Sequence, residues 1–456
     1  MNELHISRLV LVSFALTILA GALLLMLPVS RQLGVEPVSW VDALFTSTSA
    51  VCVTGLATRD TGTTFSVFGQ GVILMLIQVG GLGFLTLSTF FITRILGRGK
   101  NIGLQHRLLL ETSHGALDSI HPGQLLGTIL LFTLVTEALG AVLLFLRFSQ
   151  GNEPLWAVWL AVFHAISAFC NAGFGLYADS LMGYRDDPLV NGVVMGLIVL
   201  GGIGFLVVAD LTFWMRSRLR RRPARLSLHT RMVLRTTLWL IGLGALFIAA
   251  LEWGGEAMGS DAGSVGLASL FLSVTSRTAG FNTVDTGLLT GASLYLVILL
   301  MAIGGSPGST AGGMKTTTFA VCVALMYSRA RNRPRVECQE RSIPDETVTK
   351  AMFVVTGYVL AILAGSFLLE VTEAGRVAFG KSSGNHFLAL LFEVVSAIGT
   401  VGLSTGITGS LSVSGKLIIT ALMFIGRLGP LLVVHTLVGS APRVRYAHAE
   451  ENVNIG

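Results

Sequence analysis

Four short segments of this chain each end in a glycine that follows a Ser/Thr-rich apolar run: Thr46–Gly55, Ala165–Gly173, Ser273–Gly280 and Ser396–Gly402. Glycine leaves the backbone free to turn its carbonyl oxygens to one side, and carbonyls converging on an axis can replace the water around a cation. A second chemistry-bearing stretch is Ala302–Lys315, with Gly304, Gly305, Ser306, Pro307, Gly308, Ser309, Thr310, Gly312 and Gly313 inside an apolar run. Five glycines and a proline cannot make a good continuous helix, so the spacing predicts a flexible loop at membrane depth. The third feature is Arg427, alone in the middle of an apolar segment. An intramembrane arginine faces a wet or protein-lined interior. Its expected partners are loop carbonyls, the hydroxyls of Ser306, Ser309 or Thr310, and Asp210.

The elements that must position these groups repeat four times. A spanning helix, a short pore helix, a loop and a second spanning helix are expected at 8–27, 39–50, 51–56 and 69–96. The second set is 121–147, 155–169, 170–175 and 189–216. The third is 229–252, 262–276, 277–282 and 289–327, and the fourth is 347–371, 386–398, 399–404 and 413–438. The pore segments are too short to cross roughly 30 Å of hydrocarbon as helices, so they enter and return on one side. Such backbone survives at that depth only when buried in protein or lining water. The fold class is therefore all-α integral membrane, with four pseudo-equivalent helix–pore loop–helix repeats, eight main spanning helices, around one central pore. The repeats are assigned to 1–100, 101–220, 221–335 and 336–456, the third carrying the loop 302–315.

Composition agrees. Of 456 residues 52% are hydrophobic and 12% charged, and glycine numbers 54; soluble domains average about 25% charged residues. The net charge is +6, and 21 of the 31 Lys/Arg fall at the N-terminus, in the three linkers between repeats and at the C-terminus. That asymmetry puts both termini and the linkers 94–120, 216–228 and 328–346 in the cytoplasm. The loops on the other side carry more acid than base, which raises the local cation concentration. Basic runs that flank spanning segments set topology and touch anionic lipid; nucleic acid is not implied. Cys52, Cys170, Cys322 and Cys338 show no metal-ligand spacing. No cleavable signal peptide is expected before Pro28.

Catalytic motifs are missing. Gly312-Gly313-Met314-Lys315 resembles a phosphate-binding loop superficially, but Met314 stands where that motif needs glycine. Gly81-Leu82-Gly83 and Gly202-Ile203-Gly204 do not complete a dinucleotide motif, because Thr86 and Val207 occupy its last position. The chain reads as a non-enzyme.

The second helices carry Gly80-Gly81-Leu82-Gly83-Phe84-Leu85, Gly201-Gly202-Ile203-Gly204-Phe205-Leu206, Gly304-Gly305 and Gly426-Arg427. With the four loops and the late arginine, this resembles the Trk/Ktr/HKT superfamily of potassium translocators over nearly the whole chain. In length and number of spans it is most similar to the KtrB family. The resemblance implies a selectivity filter at Val53, Thr54 and Gly55; Asn171, Ala172 and Gly173; Thr278, Ala279 and Gly280; and Thr400, Val401 and Gly402. K⁺ would sit on their backbone carbonyls. Serine at the first filter position accompanies sodium transport in this superfamily, so Gly55 favours K⁺. The resemblance also implies a gate made of Gly304, Gly305, Ser306, Gly308, Ser309, Thr310, Gly312, Gly313, Lys315 and Arg427. It further implies a homodimer in the cell's inner (plasma) membrane and a separate cytosolic KtrA-like ring. Any nucleotide would act only through that ring. A sodium-coupled or sodium-selective transporter is the competing expectation, and Na⁺ activation stays open.

Several residues keep two readings. Arg277 either braces the loop through carbonyls or Asp285, or is a solvated rim charge. Lys315 either snorkels to the cytoplasm or joins the gate. Glu137 is protonated or bridges helices, and His164 packs and hydrogen-bonds within the second pore helix.

Overall fold

A computed structural model of the chain describes residues 3–97, 122–221, 223–373 and 386–429. The 94–120 linker beyond 97, the last helix beyond 429 and the C-terminal arginines lie outside them.

Repeat one comprises α1 (Glu3–Leu25), α2 (Trp40–Val51), the single turn α3 (Thr61–Thr64) and α4 (Val67–Gly97). Repeat two comprises α5 (Pro122–Phe148), α6 (Pro154–Phe169), α7 (Pro188–Gly202) and α8 (Phe205–Leu219). Repeat three comprises α9 (Leu228–Leu251), α10 (Ala262–Thr275), α11 (Gly291–Ala302) and α12 (Thr316–Ala330). A two-stranded hairpin follows, β1 (Val336–Cys338) against β2 (Arg341–Ile343), and then α13 (Asp345–Glu373), α14 (His386–Gly399) and α15 (Val413–Leu428). Among the described residues three helices are individually long and apolar enough to span: Gly127–Phe148, Leu228–Leu251 and Asp345–Glu373.

The sequence predicted one continuous second helix in repeat two. It is instead broken between α7 and α8 by a 98° bend. The cause is local. Gly204 adopts φ +89°, and a Cβ there would strike the carbonyl oxygen of Pro307. The freed N–H of Phe205 donates to Gly308 O at 2.9 Å. The repeat-three loop therefore occupies the break.

Polar side chains start the pore helices and second helices where the chain turns. Ser39 caps α2, Asp187 caps α7, Asp261 caps α10, Thr290 caps α11 and Ser412 caps α15, each accepting a first-turn N–H. In every repeat the residue that opens the second helix is also fastened to the end of the first. Ser66 donates its hydroxyl to Val29 O and its N–H to Ser30 O. Arg147 pairs with Asp187. Glu252 accepts from the N–H and hydroxyl of Thr290 at 2.9 and 2.8 Å. Glu373 accepts from the hydroxyl of Ser412 at 2.5 Å. Hydroxyl and N–H on carbonyls in repeat one, an ion pair in repeat two, and a glutamate accepting a hydroxyl and an N–H in repeats three and four make the same connection, so the first and second helix of each repeat meet at one end.

The pore helices are the core. Phe45, Phe163, Phe271 and Phe392 on them are fully buried, while α1, α5, α9 and α13 keep exposed leucines and phenylalanines on one face. That distribution suits helices with lipid on the outside and protein inside.

Candidate functional site

At each of the four glycines expected to form the filter the backbone repeats one unusual conformation. Gly55, Gly173, Gly280 and Gly402 have φ of 95°, 71°, 79° and 92°, and two residues earlier Val53, Asn171, Thr278 and Thr400 have φ of 56°, 59°, 71° and 49°. The residue between has negative φ. Alternation of this kind turns successive carbonyls toward the same side. Left-handed φ at a β-branched valine or threonine is costly, so the surroundings must hold it there.

The holding groups are on the pore helices. Thr54, Ala172, Ala279 and Val401 each donate their N–H to a carbonyl of the preceding helix, on Ser49, Ser167, Thr275 and Ser396. The hydroxyls of those same four residues complete the clamp in two ways. Ser49 and Ser396 accept from the N–H of Gly55 and Gly402 at 3.0 and 3.1 Å. Ser167 and Thr275 donate to Phe174 O and Phe281 O at 2.7 and 2.9 Å. These bonds hold each of the four segments against the end of its own pore helix.

The four strands close on one another. A Cβ on Gly55 would meet Ala172 O, one on Gly173 would meet Ala279 O, one on Gly280 would meet Val401 O, and one on Gly402 would meet Thr54 O. The order is cyclic, from repeat one through four and back to one. On one side of the ring a cavity of about 320 Å³ is lined by all four glycines, with Asp60 and Asp285 among its wall residues. Asp60 and Asp285 also cap short turns there. Just on the other side, the side-chain oxygens of Asn171, Thr278 and Thr400 are buried and have no hydrogen-bond partner among the described residues.

That other side holds the glycine-rich loop between α11 and α12. It is fastened to repeat two by Ser306 N–H on Gly202 O at 2.9 Å, Thr310 N–H on Gly201 O at 3.2 Å and Thr310 Oγ1 on Phe169 O at 3.0 Å. Asn171 Nδ2 donates to Thr310 Oγ1 at 2.9 Å, joining filter strand and loop directly. Its own ends are joined by Gly304 N–H on Met314 O at 2.8 Å and Thr316 N–H on Gly305 O at 3.0 Å. A Cβ on Gly312 would strike the side chain of Thr400, and one on Gly313 would press on Gly399 O at 2.9 Å, so the loop also abuts repeat four.

Arg427 is 3% exposed. Its Nη1 donates to Thr310 O at 2.5 Å and its Nη2 to Gly80 O at 2.8 Å. The expected loop-carbonyl partner is therefore present and is Thr310. The expected hydroxyl and Asp210 contacts are replaced. Ser309 donates to Ser306 O, Ser306 bonds Thr316, and Asp210 accepts from the N–H and hydroxyl of Ser227. Asp210 sits on α8 beyond the 98° bend, which the sequence pattern did not anticipate.

The open readings resolve as follows. Lys315 does not snorkel away; its Nζ donates to Ala311 O at 2.8 Å. Arg277 is 8% exposed, so it is not a rim charge, and it braces Gly304 O at 3.1 Å rather than Asp285. Glu137 bridges helices: Gln78 Nε2 of α4 donates to it at 2.9 Å, and Cys170 below the filter donates to Gln78 Oε1 at 3.1 Å. His164 hydrogen-bonds Leu160 O at 2.8 Å among Phe148, Phe163 and Tyr177. One residue that sequence reasoning missed is Glu393 on α14, fully buried, accepting from Ser404 and from Thr408 at 2.9 Å just past the fourth filter strand. Its only signal was an acid in an otherwise apolar pore helix.

The first glycine of the shared motif in the second helices of repeats one, two and four is a packing site. A Cβ on Gly80, Gly201 or Gly426 would run into the carbonyl of Val51, Phe169 or Ile398, each four residues before its filter glycine.

Residues 8–443 match the family model described as TrkH, cation transport protein. The chain belongs to the TrkH cation transport family. This is a transporter family and not an enzyme family. Among curated TrkH-type relatives, the chain is 40% identical to the Ktr system potassium uptake protein B of Bacillus subtilis, over 96% of this chain and 94% of that one. It is 38% identical to the protein of the same name in Vibrio alginolyticus, over 95% and 92%. It is 36% identical to the potassium/sodium uptake protein NtpJ of Enterococcus hirae, over 98% and 97%. The fold matches the crystal structure of the potassium transporter TrkH from Vibrio parahaemolyticus with a TM-score of 0.72 and 19% identity, covering 96% of this chain and 85% of that one. The four-repeat membrane architecture of the TrkH fold is thus the architecture of this chain.

Proposed function

We propose that this chain is the membrane subunit of a Ktr-type potassium uptake system, conducting K⁺ through the glycine ring. The cyclic closure of Gly55, Gly173, Gly280 and Gly402 supports this most directly, because it brings carbonyls from four strands to one axis. The twelve filter residues named from the sequence supply those carbonyls. Ions collect in the acid-bearing cavity, lose water at the ring, and meet the loop beneath it.

The loop and Arg427 are the gate. The loop blocks the path on the inner side, and Arg427 pins it while placing a positive charge near the exit. A cytosolic KtrA-like ring governs loop release, and nucleotide acts there. The chain pairs as a homodimer in the inner membrane with both termini cytoplasmic, and the four repeats divide at about residues 100, 220 and 335. Lipid contacts the basic linkers.

A second reading, sodium transport or sodium coupling, draws support from the likeness to the potassium/sodium uptake protein of Enterococcus hirae. Uptake of K⁺, Rb⁺, Na⁺ and Li⁺ into vesicles carrying the purified chain separates the two. Uptake that follows K⁺ and Rb⁺ and ignores Na⁺ sustains the first; uptake that requires or prefers Na⁺ replaces it.

A further inference from the structure

In three repeats the second helix rests directly on the end of its own pore helix, glycine against carbonyl: Gly80 on Val51, Gly201 on Phe169 and Gly426 on Ile398. Repeat three lacks this contact. Gly304 is the matching glycine, and what its missing Cβ faces is Gly312 O of its own loop. The connection between pore helix and second helix is made there by a side chain. Arg277, three residues before the filter glycine Gly280, donates from Nη2 to Gly304 O at 3.1 Å. Its backbone N–H is fixed on Val274 O at 3.1 Å, and the next residue is left-handed Thr278. Gly304 is the first residue of the loop hinge, just after the Ile303–Met314 bridge partner.

Two further observations show that this tether has somewhere to move. The Nε of Arg277 is buried and donates to no acceptor among the described residues. A small cavity of about 20 Å³ lies beside it, walled by Val274, Gly202, Gly305 and Thr237. The carbonyl of Gly202 at present receives Ser306 N–H.

We infer that Arg277 is a positioning residue that couples the third filter strand to the loop, holding the hinge at Gly304 while the loop is docked and releasing it when Ser306 leaves. The inference rests on the gate reading above and adds a mechanical path between filter and gate. A link from Arg277 to both means that disturbing it shifts ion discrimination and gating together, whereas a residue that only fills space shifts neither ratio.

The test uses the full chain in vesicles, with Rb⁺ uptake per inserted protein and its competition by K⁺ and Na⁺. Arg277→Met is expected to raise Rb⁺ uptake roughly tenfold, the worth of one charge-assisted hydrogen bond, and to narrow the gap between K⁺ and Na⁺ as competitors. Arg277→Lys, which keeps the charge with fewer donors, falls between. In a chain lacking 306–312, Arg277→Met should raise uptake no further, because the tethered element is gone. Wild-type uptake and wild-type competition in Arg277→Met overturn the inference, as does a full multiplicative effect on top of the deletion. If Arg277→Met does not insert, Arg277→Lys decides by the same two readouts: intermediate values sustain the coupling and wild-type values end it. The deletion alone separates the readings. If it leaves uptake unchanged, the gate itself fails; if it raises uptake while both Arg277 variants behave as wild type, only the coupling fails.

Discussion

Gly402 closes on Gly55 with no side chain between them: a Cβ on Gly402 would run into Thr54 O and lie 3.0 Å from the Gly55 Cα. The first and last repeats, nearly 350 residues apart in sequence, share one edge of the ring. Gly55→Ser or Gly402→Ser should therefore weaken discrimination against Na⁺ while the protein still inserts. The added atom crowds a neighbouring strand's carbonyl, and a positive φ disfavours any side chain. Relative K⁺ and Na⁺ uptake at equal expression checks this, and unchanged ratios in both variants would remove the ring from the mechanism.

Arg427 bridges Thr310 O of the loop and Gly80 O of repeat one. Arg427→Ala should free the loop and raise K⁺ flux with less dependence on a regulatory partner. Arg427→Lys should be intermediate, since lysine keeps charge but cannot fork between two carbonyls. K⁺ preference should largely persist, because neither contact is to a filter glycine. Initial K⁺ flux per inserted protein is the measurement. Normal insertion with wild-type flux in Arg427→Ala would make this arginine structural only.

Asp42, in the first turn of α2, binds Lys416 of α15 at 2.8 Å and lies 3.6 Å from Arg59. Burial raises the carboxyl pKa, but the hydrogen bonds from Lys416 and Ser39 and the charge of Lys416 outweigh it and hold the group below its usual range. A carboxylate with a lowered folded pKa contributes stability that is complete above the unfolded value. That contribution is lost as pH falls through the folded one. Thermal unfolding in detergent should show the wild type losing stability below about pH 4. Asp42→Asn should be destabilised at pH 7 by about 2 kcal/mol and should lose less on acidification. Parallel acid dependence in the two proteins would contradict the pair's role.

By the positive-inside asymmetry the α8–α9 and α12–β1 turns are expected in the cytoplasm. Ser217 is buried on α8 and unsuited to labelling, whereas Arg220 and Asn332 are exposed. Cysteines at Arg220 and Asn332 should resist an impermeant thiol reagent in intact cells and react after permeabilisation. Ready labelling in intact cells would invert the topology.

The sequence alone carried the fourfold repeat, the filter glycines, the interrupted helix of repeat three and the oddity of Arg427. Each is written in local chemistry: helix length, the dihedral freedom of glycine, or the cost of a charge at membrane depth. Partners were a different matter. The sequence suggests Asp210 as a partner for Arg427, but the second helix of repeat two bends at Gly204, where the loop of another repeat fills the break, and Asp210 bonds Ser227. For Arg277 the sequence offered a carbonyl partner but not which one, because the contact with Gly304 O depends on a pore-helix junction that repeat three replaces. The four helix-end fastenings, Ser66 to Ser30, Arg147 to Asp187, Glu252 to Thr290 and Glu373 to Ser412, share no residue pairing across all four repeats; only the last two match, a glutamate with a hydroxyl. Local conformation is set by near neighbours along the chain and so can be read from it. Which carbonyl a buried guanidinium reaches is set by how four separate repeats pack, and only the tertiary structure decides that.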